Sequence, residues 1–461
     1  MSREKDYESA IGHDRSHVIH PFSQLATTEV TANDMYVGGD GCYLEDARGN
    51  RLFDANAGLW CVNIGYGRAE MVEAIAEQTA RMSYGQIFAG NANLPSAELA
   101  GRIADLAPDG LNKVFFSTGG SIANETAVRT AHHYFRLQGR DSKRFVLSVD
   151  QSYHGSTYLA ASLTFSGNYH ETFHVVDVVH KIAAPYTYRA PEALAGDRFV
   201  DYLVDDLERT ITRLGADNIA CFILEPVLGA GGVIVPPDGY HARMVEVCRA
   251  NDIFVIADEV VTGFGRLGHF MAAEAVFGME ADMITLGKGI SSAYQPLAAT
   301  LVSDRIHDVI SSSKDPDQIY AHGFTHSGHP VCCAAGLANL DIMEREDICG
   351  HVTRVGAGFQ ARLRDLYDSD LVGDVRGMGF MAAVELVQDR DTKAVFPSEV
   401  GISGRVEAYC RSQGLIVRPL RQHIILSPPL VMTAGQGDWV VDVIRGGLER
   451  VESDLRAEGL L

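Results

Sequence analysis

Six short, almost unbroken apolar runs do most to restrict how this chain can fold. They are Val114-Phe115-Phe116, Phe145-Val146-Leu147-Ser148-Val149, Phe222-Ile223-Leu224, Phe254-Val255-Ile256-Ala257, Met283-Ile284-Thr285-Leu286 and Ala298-Ala299-Thr300-Leu301-Val302. A strand with one wet face alternates apolar and polar residues, whereas one that is apolar at successive positions is buried on both sides. Helical stretches alternate with these runs from about residue 70 onward, which implies a mostly parallel sheet covered by helices on both faces. Ligands of such open α/β sheets gather beyond the carboxyl ends of the strands. The residues that follow each run are therefore the ones to read for chemistry.

Before this region, Gly38-Gly39-Asp40-Gly41, Tyr43-Leu44-Glu45-Asp46, Ala47-Arg48-Gly49-Asn50 and Arg51-Leu52-Phe53-Asp54 alternate extended runs with turn residues, the pattern of a small antiparallel meander. After about residue 330 a helix over residues 331–346 leads to extended runs at Met381-Ala382-Ala383-Val384-Glu385-Leu386, Leu415-Ile416-Val417 and Ile424-Ile425-Leu426, then to a terminal amphipathic helix. This second region reads as a smaller α+β domain. No internal repeat or low-complexity segment is visible.

The 39 basic and 60 acidic residues leave a net charge of −21. A negative field of that size repels phosphate backbones and anionic head groups, so nucleic acid and membrane surfaces are not expected as partners. No apolar run approaches the roughly 18 residues of a membrane span, and residues 1–19 lack the apolar centre of a signal peptide. The expected location is the cytoplasm. Cys42, Cys61, Cys221, Cys248, Cys332, Cys333, Cys349 and Cys410 lie scattered, without the spacing of a zinc site or a disulfide framework, and read as reduced core residues. The histidines form no ligand cluster, and no metal is expected.

Four strand ends carry candidate chemistry. In Ile284-Thr285-Leu286-Gly287-Lys288-Gly289-Ile290 a lysine sits between two glycines directly after an apolar strand. Lysine is scarce here, the others being Lys5, Lys113, Lys143, Lys181, Lys314 and Lys393. Desolvation at such a place favours the neutral amine, and flanking glycines let backbone and ligand approach closely; a lysine that only snorkels at a strand end is the alternative. Ile256-Ala257-Asp258-Glu259-Val260 ends a strand in two carboxylates. A buried Asp258 needs a cation, which a protonated pyridine nitrogen supplies; it can equally cap a loop, and Glu259 can be solvated or a structural ion-pair partner. Phe116-Ser117-Thr118-Gly119-Gly120-Ser121 runs through two glycines into a helix that extends to about residue 138, and its first amides with the Ser121 hydroxyl suit a phosphate. An ordinary serine cap would look the same. In Ser152-Tyr153-His154-Gly155 an aromatic at a strand end can stack on a flat heterocycle, or be core filler.

In this order and spacing the segments resemble the class III aminotransferases of pyridoxal-phosphate fold type I, most of all the omega-amino acid and amine:pyruvate transaminases. The run Asp258-Glu259-Val260-Val261-Thr262-Gly263-Phe264-Gly265-Arg266, followed by Gly287-Lys288-Gly289, carries the resemblance, which extends from Tyr36 to the terminal helix. It implies a large domain with a mostly parallel seven-stranded sheet and a smaller α+β domain built from both chain ends: residues 1–65 contributing to the small domain, 66–330 binding the cofactor, and 331–461 completing the small domain. The implied cofactor is pyridoxal 5'-phosphate. Lys288 would bind it covalently and move the proton, Asp258 would meet the pyridine nitrogen, Tyr153 would stack on the ring, and Val260 would pack on the other face. Gly120 and Ser121 would hold the phosphate, with Glu225 and His154 close to the cofactor. Thr325, in Gly323-Phe324-Thr325-His326, matches a residue lent to the phosphate of a neighbouring subunit, so the resemblance implies a homodimer with shared sites, or a tetramer.

Phe22, Trp60 and Phe88 match the family's aromatic substrate pocket, Phe88 reaching in from the partner, and ordinary core is the alternative for each. Arg418 matches the mobile arginine that pairs with a substrate carboxylate. Two positions depart from the pattern. Ile122 stands where members carry an acidic residue, and Arg421 offers a second guanidinium close to Arg418, which is preferred on motif position. The implied reaction is ping-pong transfer of an amino group from a primary amine or omega-amino acid to pyruvate or another 2-oxo acid. The alternatives are an aminomutase, a decarboxylase, or a non-catalytic cofactor-binding regulator.

Overall fold

The computed structural model describes residues 7–167, 169–194 and 196–461, so the start of the polar lead-in, residues 1–6, lies outside it. Near the N-terminus β1 (Tyr36–Asp40), β2 (Tyr43–Asp46) and β3 (Arg51–Asp54) form the expected antiparallel meander. All six apolar runs are strands of one seven-stranded sheet: β4 (Lys113–Ser117), β5 (Phe145–Val149), β7 (Ile219–Leu224), β8 (Phe254–Asp258), β9 (Met283–Leu286) and β10 (Ala298–Val302), with β6 (Val179–Ile182) as the seventh. The sequence concealed β6 because His180 and Lys181 interrupt its apolar character. It lies at the sheet's edge, where one side is not covered by a neighbouring strand.

The strand order is β4-β10-β9-β8-β7-β5-β6. The pairs from β9 through to β6 are parallel, while β10 is antiparallel to both β9 and β4. Residues 287–297, between β9 and β10, are too few for the helical crossover that a parallel return needs, so β10 runs backwards. The other six strands point the same way and end along one edge. Side chains alternate between the two faces: Cys221, Ile223, Phe254 and Ile256 pack with Ala127, Val128, Ala131 and Phe135 of the Gly120–Leu137 helix, while Phe222, Leu224, Val255 and Ala257 enter the larger core opposite. Each fully buried Val, Ile, Leu or Phe among these contributes about 1.5–3 kcal/mol.

In the C-terminal region β11 (Val372–Met378), β12 (Met381–Leu386), β14 (Arg418–Leu420) and β15 (His423–Leu426) form an antiparallel sheet in the order β11-β12-β15-β14. β13 (Leu415–Ile416) leaves that region and pairs in parallel with β3, placing Leu415 beside Phe53 and Ile416 beside Asp54. Ala55 N–H then donates to Ile416 O at 3.0 Å and Ser427 N–H to Ala55 O at 2.7 Å. The two ends of the chain are thereby laced together, and the turn through Trp60 and Cys61 follows directly on this junction.

The loop after β9 is tied to the Pro330–Arg345 helix and to the 63–64 segment, where Ile64 N–H donates to Ser292 Oγ at 3.3 Å. Asn339, fully buried in the Pro330–Arg345 helix, donates from Nδ2 to Gly289 O at 2.9 Å and accepts from Ser292 Oγ at 2.6 Å. Asn63 Nδ2 donates to Phe264 O at 2.7 Å, and its Oδ1 accepts from Arg266 at 2.8 Å. Arg266 is completely buried; loss of water pulls its guanidinium down to about 9, so it keeps its charge at neutral pH. Asn339→Leu fills the same space but takes the side-chain donor away from the Gly289 and Ile290 carbonyls and the acceptor away from the Ser292 hydroxyl. It is expected to cost about 2 kcal/mol, seen as a lower melting temperature beside the wild-type protein; an unaltered melting temperature would show that the loop does not depend on this tie.

Candidate active site

Lys288 begins the turn after β9 with φ of +43°, in the left-handed region, and is partly buried. Its neighbours leave no room for side chains: a Cβ on Gly289 would lie 2.3 Å from Asn63 Nδ2, and one on Gly287 would lie 3.2 Å from Val260 Cγ1. Burial pushes the Lys288 amine below the usual lysine range, against the opposing pull of Cys61, Asp258 and Glu225, while the Arg418 guanidinium adds to the depression. Those four groups come from four distant parts of the chain, and they surround one amine.

Asp258 ends β8 at 4% exposure. Its Oδ2 stands 2.6 Å from His154 Nδ1 and 2.7 Å from Asn124 Nδ2, and its Oδ1 accepts from Val260 N–H at 3.1 Å and faces Thr285 Oγ1 at 3.4 Å. Burial alone would raise this carboxyl, but the His154 hydrogen bond and charge, the Val260 amide and Asn124 outweigh it, and the group is held below its ordinary value. Asn124 also donates to His154 O at 2.8 Å and accepts from Thr285 Oγ1 at 2.6 Å, locking the first turn of the Gly120–Leu137 helix to β8 and β9. His154 Nε2 is buried and without a hydrogen-bond partner.

Glu225, 3% exposed, follows β7. Its Oε1 accepts from Tyr153 N–H at 2.8 Å and its Oε2 from Gly229 N–H at 2.9 Å. Burial pushes this carboxyl up to about 7, with His154 and the two amides opposing the rise and Asp258 adding to it. The Tyr153 ring meets Phe22 edge-on, with centroids 6.3 Å apart. At Gly155, φ is +127° and a Cβ would stand 2.2 Å from Ser121 Oγ, so the 152–155 turn lies directly against the start of the Gly120–Leu137 helix. No side chain caps that start, and the Ser121 hydroxyl accepts from Ser156 N–H at 3.2 Å. A Cβ on Gly120 would be 2.7 Å from Val260 Cγ1. Gly120, Gly287 and Val260 thus form one closely packed wall.

The remaining predicted residues are placed less uniformly. Arg418 opens β14 and is partly buried, whereas Arg421 is exposed and donates to Gln151 Oε1 at 3.0 Å. Phe22 is 66% exposed. Trp60, with φ of +66°, is packed into a buried cluster with Val227, Leu267, Met381 and Ile425. Phe88 is exposed and lies against Gly323, where a Cβ would be 3.2 Å from its ring, and exposed Thr325 accepts at its carbonyl from Tyr84 Oη at 2.6 Å. Within one chain, then, Phe88 and Thr325 sit on a common surface patch. Ile122 offers no polar side chain in its helix turn. Glu259 is neither solvated nor ion-paired: it is fully buried and accepts from Ala272 N–H and Ala273 N–H, each at 2.8 Å, and from Thr262 Oγ1 at 3.1 Å, capping the Ala273–Phe277 helix.

Sequence reading missed Asn124, Thr285 and Cys61. Asn124 could have been found as a polar residue on the apolar side of a helix rich in alanine. Thr285, inside an apolar strand, and Cys61, among core-like neighbours, gave no such signal. Among the described residues no cluster suited to a metal is present, and no helix is long and apolar enough to cross a membrane.

The comparisons with known proteins agree with this geometry. The family model for class-III aminotransferases matches residues 26–448. A putrescine–pyruvate aminotransferase of Pseudomonas aeruginosa is 38% identical over 446 residues, covering 96% of each chain. A solved (S)-enantioselective omega-transaminase from Thermomicrobium roseum has 39% identity and a TM-score of 0.93, covering 96% of this chain and 98% of that one. The omega transaminase of Pseudomonas jessenii, solved in complex with PMP, has 33% identity and a TM-score of 0.92, covering 96% and 98%. This chain belongs to the class III aminotransferases. It is an enzyme of fold type I, and its cofactor is pyridoxal phosphate.

The site fits that cofactor. A buried, ionised carboxylate at a strand end suits a protonated ring nitrogen. The glycine wall against Val260 leaves a flat approach, the uncapped helix start suits a phosphate, and the desolvated amine suits an aldehyde.

Glu225 offers a pH test. Its folded value of about 7 lies above the ordinary 4.5, so between these values the folded protein keeps a proton that the unfolded chain has released, and stability falls as pH rises. The cofactor-free protein is expected to lose up to about 3 kcal/mol from this group between roughly pH 5 and pH 8. Melting temperatures across that range should decline less steeply in Glu225→Gln; parallel profiles would refute the assignment.

Proposed function

We propose that this enzyme moves an amino group from a primary amine or omega-amino acid to pyruvate, or another 2-oxo acid, in two half-reactions at the site around Lys288. The observation that carries the reading is the meeting of three features: a desolvated Lys288 amine, a buried ionised Asp258, and the close-packed wall formed by Gly120, Gly287 and Val260. The Pseudomonas aeruginosa relative, named for putrescine and pyruvate, supports that substrate pair. Membership of an aminotransferase family favours transfer over the aminomutase, decarboxylase and non-catalytic alternatives left open by the sequence.

Pyridoxal phosphate, when bound, supplies the electron sink that stabilises negative charge at the substrate's reacting carbon. Asp258 keeps the ring nitrogen protonated, and His154 and Asn124 keep Asp258 ionised. Lys288 would hold the cofactor at rest and, when free of it, would serve as the group that moves the proton between the substrate carbon and the cofactor's C4′. Its depressed pKa favours the neutral amine that this step needs. Tyr153 and Val260 bracket the ring, Glu225 fixes the Tyr153 backbone, and Gly120 with Ser121 bind the phosphate. Arg418 binds a substrate carboxylate; it is partly buried and its charge acts on Lys288, whereas Arg421 is exposed and bonded to Gln151, which supports that choice. Phe22 lines the donor side beside Tyr153, with Trp60 supporting the wall from its buried cluster. Exposed Phe88 and Thr325 complete the site of a second subunit, so the working unit is a homodimer. The eight unpaired thiols suit a reducing cytoplasm.

An amine donor alone is expected to abolish the visible absorbance of the bound cofactor stoichiometrically, and 2-oxo acid to restore it. Release of carbon dioxide, or turnover of a single substrate, would overturn the reading. Lys288→Ala should lose transfer by about 10²–10⁴-fold or more, measured as single-turnover rates. Arg418→Ala should impair carboxylate-bearing substrates while simple amines still react, and equal losses on both would exclude it as the carboxylate ligand.

A further inference from the structure

Away from the reacting groups, an unusual number of donors meets one carboxylate. Glu385, 2% exposed on β12, accepts at Oε1 from Arg189 Nε at 2.9 Å and Nη2 at 2.5 Å. Its Oε2 accepts from Tyr186 Oη and from Arg376 Nη1 at 2.7 Å, and lies 3.3 Å from His423 Nε2. These partners come from different places. Tyr186 and Arg189 belong to the segment after β6 at the edge of the large sheet, Arg376 lies on β11, and His423 opens β15.

Two of these contacts lead back to the active site. Arg376 Nε donates to Gly232 O at 2.8 Å. Gly232 lies in the turn whose Gly229 amide holds Glu225, and Glu225 holds the Tyr153 amide. The same turn is pressed against the Tyr153 segment, since a Cβ on Gly231 would stand 2.5 Å from Gln151 O. On the other side, His423 pairs with Leu420 across the β14–β15 hairpin, and its Nδ1 lies 3.1 Å from Leu420 O. Arg418 sits on that hairpin, opposite Ile425.

We infer that Glu385 is a positioning residue for substrate carboxylates: through His423 it sets the β14–β15 hairpin that carries Arg418, and through Arg376 it fixes that hairpin's place relative to the Tyr153 wall. A guanidinium binds a carboxylate through two parallel hydrogen bonds, and such geometry is lost by small displacements. An arginine on a three-residue edge strand, joined to one neighbour only, needs an outside reference for its position. Glu385 provides one that spans both sheets. The inference rests on the reading of Arg418 as the carboxylate ligand.

The test uses holoenzyme: wild type, Glu385→Gln, Tyr186→Phe and Arg418→Ala, with pyruvate as the carboxylate probe and an arylalkylamine as the carboxylate-free one. In Glu385→Gln the KM for pyruvate is expected to rise about tenfold or more, while the half-reaction rate with the arylalkylamine stays within about threefold of wild type. Tyr186→Phe should shift the same ratio in the same direction by less. Equal losses on both probes, or none, in Glu385→Gln and Tyr186→Phe overturn the inference. Should Glu385→Gln fail to fold, the ratio in Tyr186→Phe decides. If Arg418→Ala leaves the pyruvate KM where it was, the carboxylate reading of Arg418 is wrong and the inference falls with it; if it raises that KM while the Glu385 and Tyr186 variants do not, the inference alone fails.

Discussion

The rest of the site depends on a negative charge kept inside the protein. Removing a carboxylate from water costs several kcal/mol unless its lone pairs are filled, and Asp258 is 4% exposed at the end of a central strand. His154, Asn124 and the Val260 amide fill those lone pairs and hold the group ionised. Each of these donors also fixes something else. Asn124 ties the Gly120–Leu137 helix to the 152–155 turn through His154 O and to β9 through Thr285. The hydrogen bonds that keep Asp258 charged therefore also fix the start of the Gly120–Leu137 helix relative to the ends of β8 and β9.

Lys288 is held by a different means. Its backbone is in the left-handed region, a strained conformation for a residue with a Cβ, and such strain persists only where the surroundings over-determine it. Asn339 does this from the Pro330–Arg345 helix, and the 63–64 segment from the other side, with the Ile64 amide on Ser292 and the Asn63 side chain packed against Gly289. The result is an amine aimed into a dry place without a carboxylate bonded to it, so desolvation prevails and the amine is more readily neutral. Asp258 must stay charged and Lys288 must be able to lose its charge. Donors packed around the carboxylate, and desolvation of the amine without a bonded carboxylate, produce the two outcomes.

Much of this was legible in the sequence for a local reason. Six of the seven strands of the large sheet announced themselves because burial on both faces demands unbroken apolar runs, and Gly120, Gly155 and Gly287 because close approach forbids a side chain. β6 escaped because an edge strand tolerates His180 and Lys181. The reversal of β10 escaped because apolar character carries no direction. Glu259 was read as solvated or paired with a cation; it caps a short helix instead, and nothing in a carboxylate beside Asp258 distinguishes these fates.

By itself, then, the sequence determined the periodicities and the chemistry: which segments are buried strands, where each ends, and that a lysine, an aspartate and a glycine-serine turn stand at those ends. Such properties depend on neighbours a few residues away, and any sequence carries that information openly. Only the tertiary structure decided which ends meet. It placed His154 and Asn124 on Asp258, brought Cys61 and Arg418 near Lys288 by pairing β13 with β3, and gathered Tyr186, Arg189, Arg376 and His423 on Glu385. Except for Arg376, those partners are separated by tens to hundreds of residues, and their meeting depends on strand order and packing. A single sequence does not display either one.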